Sequence, residues 1–177
     1  MNRRIINAWK RYWSLRDIMK SSEYKVTIKR KLFNVCILPI LTYGCQTWTM
    51  SQSTQQKLRT CQRSIERSIL GFKRKDKKRA TELRKITKFE DVIKKTRQMK
   101  WRWTGHMLRE PKEKWTKSLT EWIPRYNTKR KRGRQRKRWS DDIKKVGGPL
   151  WIRLAKDRGK WKELEEAYVS QGHADPD

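Results

Sequence analysis

Acidic residues are scarce in this chain. Its 177 residues include 18 Asp and Glu against 48 Lys and Arg, a formal charge of +30. Such a balance says little about fold, but it argues for a polyanionic partner: DNA, RNA or, less readily, an anionic membrane surface. Cysteine is also rare. Cys36, Cys45 and Cys61 are an odd number, too few for a disulfide framework and wrongly spaced for a zinc site, so free, buried thiols in a reducing compartment are expected. Only two histidines occur, His106 and His173. A lone His without a second ligand at metal spacing points to no metal centre. Long apolar runs are absent as well. Val35 to Leu41 is the longest, far short of a bilayer span. No apolar stretch follows the opening Met1-Asn2-Arg3-Arg4, so a secretory signal is not expected. An intracellular chain of the nucleus and cytoplasm, with no membrane partner, is the expectation.

What is present in excess is cation and tryptophan. Lys129, Arg130, Lys131, Arg132, Arg134, Arg136, Lys137 and Arg138 occupy eight of ten consecutive positions, interrupted by Gly133 and Gln135 and closed by Trp139. Charges so dense repel one another unless something anionic lies alongside, and a nucleic-acid backbone neutralised by them releases condensed counterions. Lys73, Arg74, Lys75, Lys77, Lys78 and Arg79 form a second cluster around Asp76, expected in a loop as a phosphate clamp or simply a solvated turn. Arg132-Gly133-Arg134 also matches the core of an AT-hook, a peptide that lies in the narrow minor groove of A·T sequence. The usual Pro after the second Arg is Gln135 here. Of the ten Trp residues, Trp9, Trp103, Trp151 and Trp161 are expected in the core. Trp115 and Trp139 flank charge and are the candidates for stacking on a base.

Hydrophobic periodicity predicts an all-α fold of about seven helices with no strand. Ile5, Ile6, Trp9 and Trp13 mark a first helix. A second, capped by Ser21 or Ser22, carries Tyr24, Ile28, Lys31, Leu32 and Val35 and is ended or kinked by Pro39. Ser51 to Thr54 offers a cap for a helix with Leu58, Cys61, Ile65 and Ile69 on one stripe and Gly71 at its end. A short helix is expected near residues 81–86. Thr87-Lys88-Phe89-Glu90 has the form of a capping box before a long helix with Phe89, Val92, Ile93, Thr96, Met99, Lys100 and Trp103 on one face. Ser140-Asp141-Asp142 is expected to cap a short helix. Pro149 would begin the next, and Trp161, Leu164 and Tyr168 would share the last. The expected organisation is a helical region over 1–111, a basic linker over 112–138, a small helical unit over 139–172 and a disordered tail over 173–177.

Five of these segments, in order, resemble the C-terminal region of reverse transcriptases from non-LTR (LINE-type) retrotransposons. Leu41-Thr42-Tyr43-Gly44-Cys45-Gln46-Thr47-Trp48 is similar to the family's "LLYGCETW". Residues 63–71 are similar to the helix that follows it. Trp101 to Arg109 resembles "W-x-GHxLR", Arg132 to Ile143 resembles "RGRPRxRWxDDI", and Leu154 to Trp161 resembles "LAxDRxxW". The resemblance implies the thumb and post-thumb part of an endonuclease-reverse transcriptase. The first region would then be a thumb-like bundle. The parent polymerase would need Mg²⁺ held by palm carboxylates, and no such motif occurs here. Asp141-Asp142 reads instead as a first-turn acid pair complementing the helix dipole.

The expected function is therefore electrostatic grip on RNA template, RNA–DNA hybrid or target DNA, without catalysis by this chain and without cofactor or metal. The missing palm of the same polypeptide is a further partner that the resemblance implies. A free-standing AT-hook-like DNA- or chromatin-binding protein is the alternative.

Overall fold

The computed structural model of the chain describes residues 1–111, 114–122, 133 and 137–170. Every regular element among them is helical. The α-helices are α1 (Asn2–Ser14), α2 (Arg16–Lys20), α3 (Val26–Leu32), α4 (Leu38–Thr42), α5 (Gln52–Leu70), α6 (Ala80–Thr87), α7 (Val92–Arg109), α8 (Trp115–Glu121), α9 (Asp141–Gly147), α10 (Trp151–Lys156), α11 (Arg158–Glu163) and α12 (Glu165–Ser170). The all-α expectation therefore holds. The helices are more numerous and shorter than the expected seven. Among the described residues none is long and apolar enough to cross a membrane.

Packing divides the chain into two compact units. One comprises Met1–Cys45 and Ser51–Thr96, the other Gln46–Met50 and Arg97–Asp177.

In the first unit, α5 behaves as its stripe predicts. Ser51 caps it, the hydroxyl accepting from the Thr54 N–H at 3.2 Å. Leu58, Cys61, Ile65 and Ile69 are buried, and Gly71 ends the helix at φ +77°, a conformation that costs glycine least. The stripes of α1 and α3 differ from expectation. On α1 the buried residues are Ala8 and Tyr12, and the Tyr12 hydroxyl donates to Ser68 Oγ at 2.7 Å. Trp13 is half exposed and stacks on Trp9 along the flank. Apolar residues cover a wide arc of α1, so its centre rather than its largest rings faces the core.

Tyr24, Ile28 and Val35 are exposed, whereas Phe33 and Ile37 are buried. Tyr24 precedes α3 and Ile28 lies on its exposed face, while Val35 falls within a π-helical turn over Phe33–Ile37, followed by Pro39 in the first turn of α4. Proline has no N–H to give to the preceding turn, and a π turn inserts a residue that rotates all later positions. Neither Ser21 nor Ser22 caps α3, which starts after Lys25. Ser21 instead accepts the Glu23 N–H, and its carbonyl accepts from the buried Lys29 ammonium at 2.6 Å.

The capping box at Thr87 does not form. Thr87 ends α6, and its hydroxyl donates back to the Leu83 carbonyl at 3.0 Å. Asp91 caps α7 instead, with Oδ1 accepting from the Ile93 and Lys94 N–H groups at 2.8 and 3.0 Å. Buried Gln62 ties this start to α5, accepting from the Val92 N–H at 2.8 Å and donating to the Glu90 carbonyl. Phe89, ahead of the helix, stacks on Phe33 with centroids 4.3 Å apart.

The second unit is built on tryptophan. Trp101 and Trp161 stack at 3.8 Å and 4°. Each indole N–H donates to the other residue's carbonyl, at 2.8 and 3.0 Å. Tyr168 also stacks on Trp101, and Met107, Leu108, Ile143, Trp151 and Ala155 complete the buried cluster. Trp151 and Trp161 are core residues as expected, while Trp9 and Trp103 are only partly buried. Pro149 lies two residues ahead of α10 rather than inside it. The last helix is two: Asp157 caps α11, and a break at Leu164 separates α12.

Candidate nucleic-acid interface

In the first unit the basic cluster at 73–79 is a loop closed on itself. A 3₁₀ turn over Arg74–Asp76 is held by the Lys73 N–H donating to Asp76 Oδ2 at 2.7 Å. Lys77 then takes a left-handed conformation at φ +48°. The one acid of the cluster is thus spent on shaping the turn. All seven side chains are exposed. Lys78 lies over the Phe72 ring at 5.9 Å, and none of the six cations makes an ion pair among the described residues. The turn leaves four Lys point charges and two Arg forks exposed, both of which can contact phosphate.

The second cluster is described only at its end. Lys129, Arg130, Lys131, Arg132, Arg134 and Arg136 lie outside the described residues, as do most of the expected linker at 112–138 and the expected tail at 173–177. Lys137, Arg138 and Trp139 are described, and they anchor the run to the second unit. The Lys137 ammonium donates to the Met50 carbonyl at 2.8 Å. The Arg138 N–H donates to Asp141 Oδ2 at 2.6 Å, and its side chain is exposed. Trp139 packs: its indole N–H donates to the Gln46 carbonyl at 2.7 Å, its ring meets Trp103 edge-on, and Lys100 Nζ sits 4.8 Å from its centroid. The other stacking candidate, Trp115, is 83% exposed on α8, in line with Leu119 and Trp122.

Beneath Trp139 lies a buried polar group whose lysine no sequence motif marks. Lys100 is fully buried. Its ammonium donates to both Asp142 oxygens at 2.9 and 3.0 Å and to the Trp139 carbonyl at 2.6 Å. Tyr168 donates its hydroxyl to Asp142 Oδ2 at 3.1 Å. Burial pushes the Lys100 ammonium below the usual lysine range, with Asp142 opposing. Burial and then the Asp142 charge push the Tyr168 phenol up. Ser140 makes no side-chain cap to α9, so the acid pair divides its work: Asp141 holds Arg138, and Asp142 holds Lys100. The one sequence signal was the place of Lys100 on the apolar stripe of α7.

His106 is exposed, 3.9 Å from Glu110. All three cysteines are free, with Cys45 and Cys61 buried and Cys36 partly so. Burial pushes the Cys61 thiol up to about 11. Among the described residues no group of three His, Cys, Asp or Glu side chains could hold a metal ion.

The chain is similar to an uncharacterized transposon-derived protein of Caenorhabditis elegans, at 30% identity over 165 aligned residues. The match covers 84% of this chain and 59% of the relative's length. No family model matches the sequence. No solved structure matches it either.

Proposed function

We propose that this chain is a transposon-derived nucleic-acid-binding segment, corresponding to the thumb and post-thumb region of a non-LTR retrotransposon reverse transcriptase. It grips RNA template, RNA–DNA hybrid or target DNA through its cations and does not itself catalyse polymerisation. The observation that carries this reading is the loop at 73–79, where six exposed cations surround an acid whose oxygen is committed to the backbone. Similarity to a transposon-derived protein over most of the chain and the helical fold support it. So does the run from Lys129 to Arg138, whose last residues are fastened to a packed unit. Clustered cations with few base-reading side chains beside them favour binding to phosphates over sequence readout. Any Mg²⁺-dependent chemistry belongs to palm carboxylates of the parent polypeptide and is not assigned to residues of this chain.

Competitive fluorescence anisotropy tests the reading, with single-stranded RNA, RNA–DNA hybrid, A·T-rich duplex and G·C-rich duplex as competitors at several salt concentrations. Tighter binding of RNA or hybrid is expected. A preference for A·T duplex that persists at high salt would replace this reading with a minor-groove hook centred on Arg132-Gly133-Arg134.

A further inference from the structure

A cleft of about 480 Å³ opens in the second unit between α7 and α11, within the range of about 300–1,000 Å³ usual for ligand sites. Arg102, His106 and Arg109 line one wall from a single face of α7, at helical spacing, and Arg158 and Lys162 line the other from α11. Trp161 lies between the walls, fixed by its stack and reciprocal hydrogen bonds with Trp101. Gly105 lets the walls meet: a Cβ there would fall 2.5 Å from Trp161 Nε1 and 2.9 Å from Arg109 Nη1. Arg109 is aimed by a 2.6 Å bond from Nη1 to the Ala155 carbonyl.

The charges in the cleft do not balance. Its one carboxylate, Glu165, is occupied by Arg102 at 2.7 Å and by Gln98 at 3.0 Å. Arg109, Arg158 and Lys162 have no ion-pair partner among the described residues. Burial and the like charge of Arg158 both disfavour the charged form of Arg109. Glu165 answers Arg102 alone, so Arg109, held by its bond to the Ala155 carbonyl, faces Arg158 and Lys162 with no second carboxylate lining the cleft. Guanidinium forks so placed match phosphate geometry.

We infer that the cleft between α7 and α11 is a phosphate site that takes the sugar–phosphate backbone of a bound nucleic-acid strand. The inference rests on the proposed function, and adds to it a built site away from the two basic clusters. It also gives the segments 101–109 and 154–161 a shared purpose, because the cleft is where they meet.

The test uses the full chain and a labelled RNA–DNA hybrid, with affinity measured against salt. One variant carries Arg158→Gln and Lys162→Gln, both exposed positions whose neutralisation leaves the tryptophan core intact. A charge-matched control carries Arg153→Gln and Lys156→Gln, exposed on α10 outside the cleft. The cleft variant is expected to bind about tenfold more weakly at moderate salt. Its salt slope should be shallower by about one to two units, because two phosphates are no longer neutralised. The control should change far less. Equal effects of cleft and control pairs would overturn the cleft assignment while leaving the proposed function standing. Absence of binding by the unmodified chain would overturn both. Displacement of the hybrid by polyglutamate as readily as by RNA at equal charge, sensitive to the same pair, would reassign the cleft to an acidic protein segment and overturn the phosphate assignment.

Discussion

Lys100 is the residue on which the second unit turns. A buried ammonium without partners would be too costly to keep, and here every donor is answered, by Asp142 and by the Trp139 and Trp48 carbonyls. Removing one member of a buried pair leaves the other uncompensated, at a cost of about 3–5 kcal/mol, whereas replacing both by apolar residues is often near neutral. Lys100→Met should therefore destabilise strongly in urea unfolding, and Lys100→Met with Asp142→Leu should recover much of the loss. A loss below about 1 kcal/mol for the single variant would contradict the pairing. Cys61 makes a second residue-scale prediction. Its thiol titrates at about 11 in the fold instead of the usual 9.0. Below pH 9 both folded and unfolded chains keep the proton, and the stabilisation is fully present. As pH rises from 9 to 11 the unfolded chain gives up its proton first, so this stabilisation is lost. The stability difference between the wild type and Cys61→Ala should accordingly shrink across that window. A difference independent of pH would mean that the thiol is solvated.

At the scale of elements, legibility followed regularity. α5 was readable because a single apolar stripe, a Ser cap and a terminal Gly agree with one another. Past α3 a π turn before Pro39 shifts the register at Val35, which a pattern of fixed period cannot follow, and α3 itself begins only at Val26, after Tyr24. At the start of α7, two acids and a threonine compete within five positions. Asp91 wins because Gln62 and the Phe33–Phe89 stack fix where the helix can begin. Asp91→Ala should therefore cost about 0.5–2 kcal/mol in thermal or urea unfolding, while Glu90→Gln, whose partner is the partly exposed Lys95, should change little. The reverse order would restore the capping box. The later half of α7 carried the least legible information. Nothing in the chain order announces that Trp101 pairs with Trp161, sixty residues on, or that Lys100 meets Asp142. Such long-range partners emerge only when the helices pack.

For the whole molecule, composition was informative about partner chemistry and mute about place. A formal charge of +30 points to a polyanion, yet the cations fall into distinct settings: a self-closed loop at 73–79, the run ending at Arg138, and the walled cleft on α7 and α11. Only the first two were visible as runs, because the cleft assembles cations scattered singly between residues 102 and 162. The most direct measurement is the salt dependence of affinity for a labelled RNA–DNA hybrid, made on the intact chain and on Arg130, Arg132, Arg134 and Arg136 neutralised together. Electrostatic grip predicts that log affinity falls linearly with log salt, with a slope of several units. The quadruple variant should bind every nucleic acid more weakly, with a slope shallower by roughly one unit for each phosphate it no longer neutralises. A flat salt dependence would contradict the account, since a chain that binds without releasing counterions is not holding phosphates.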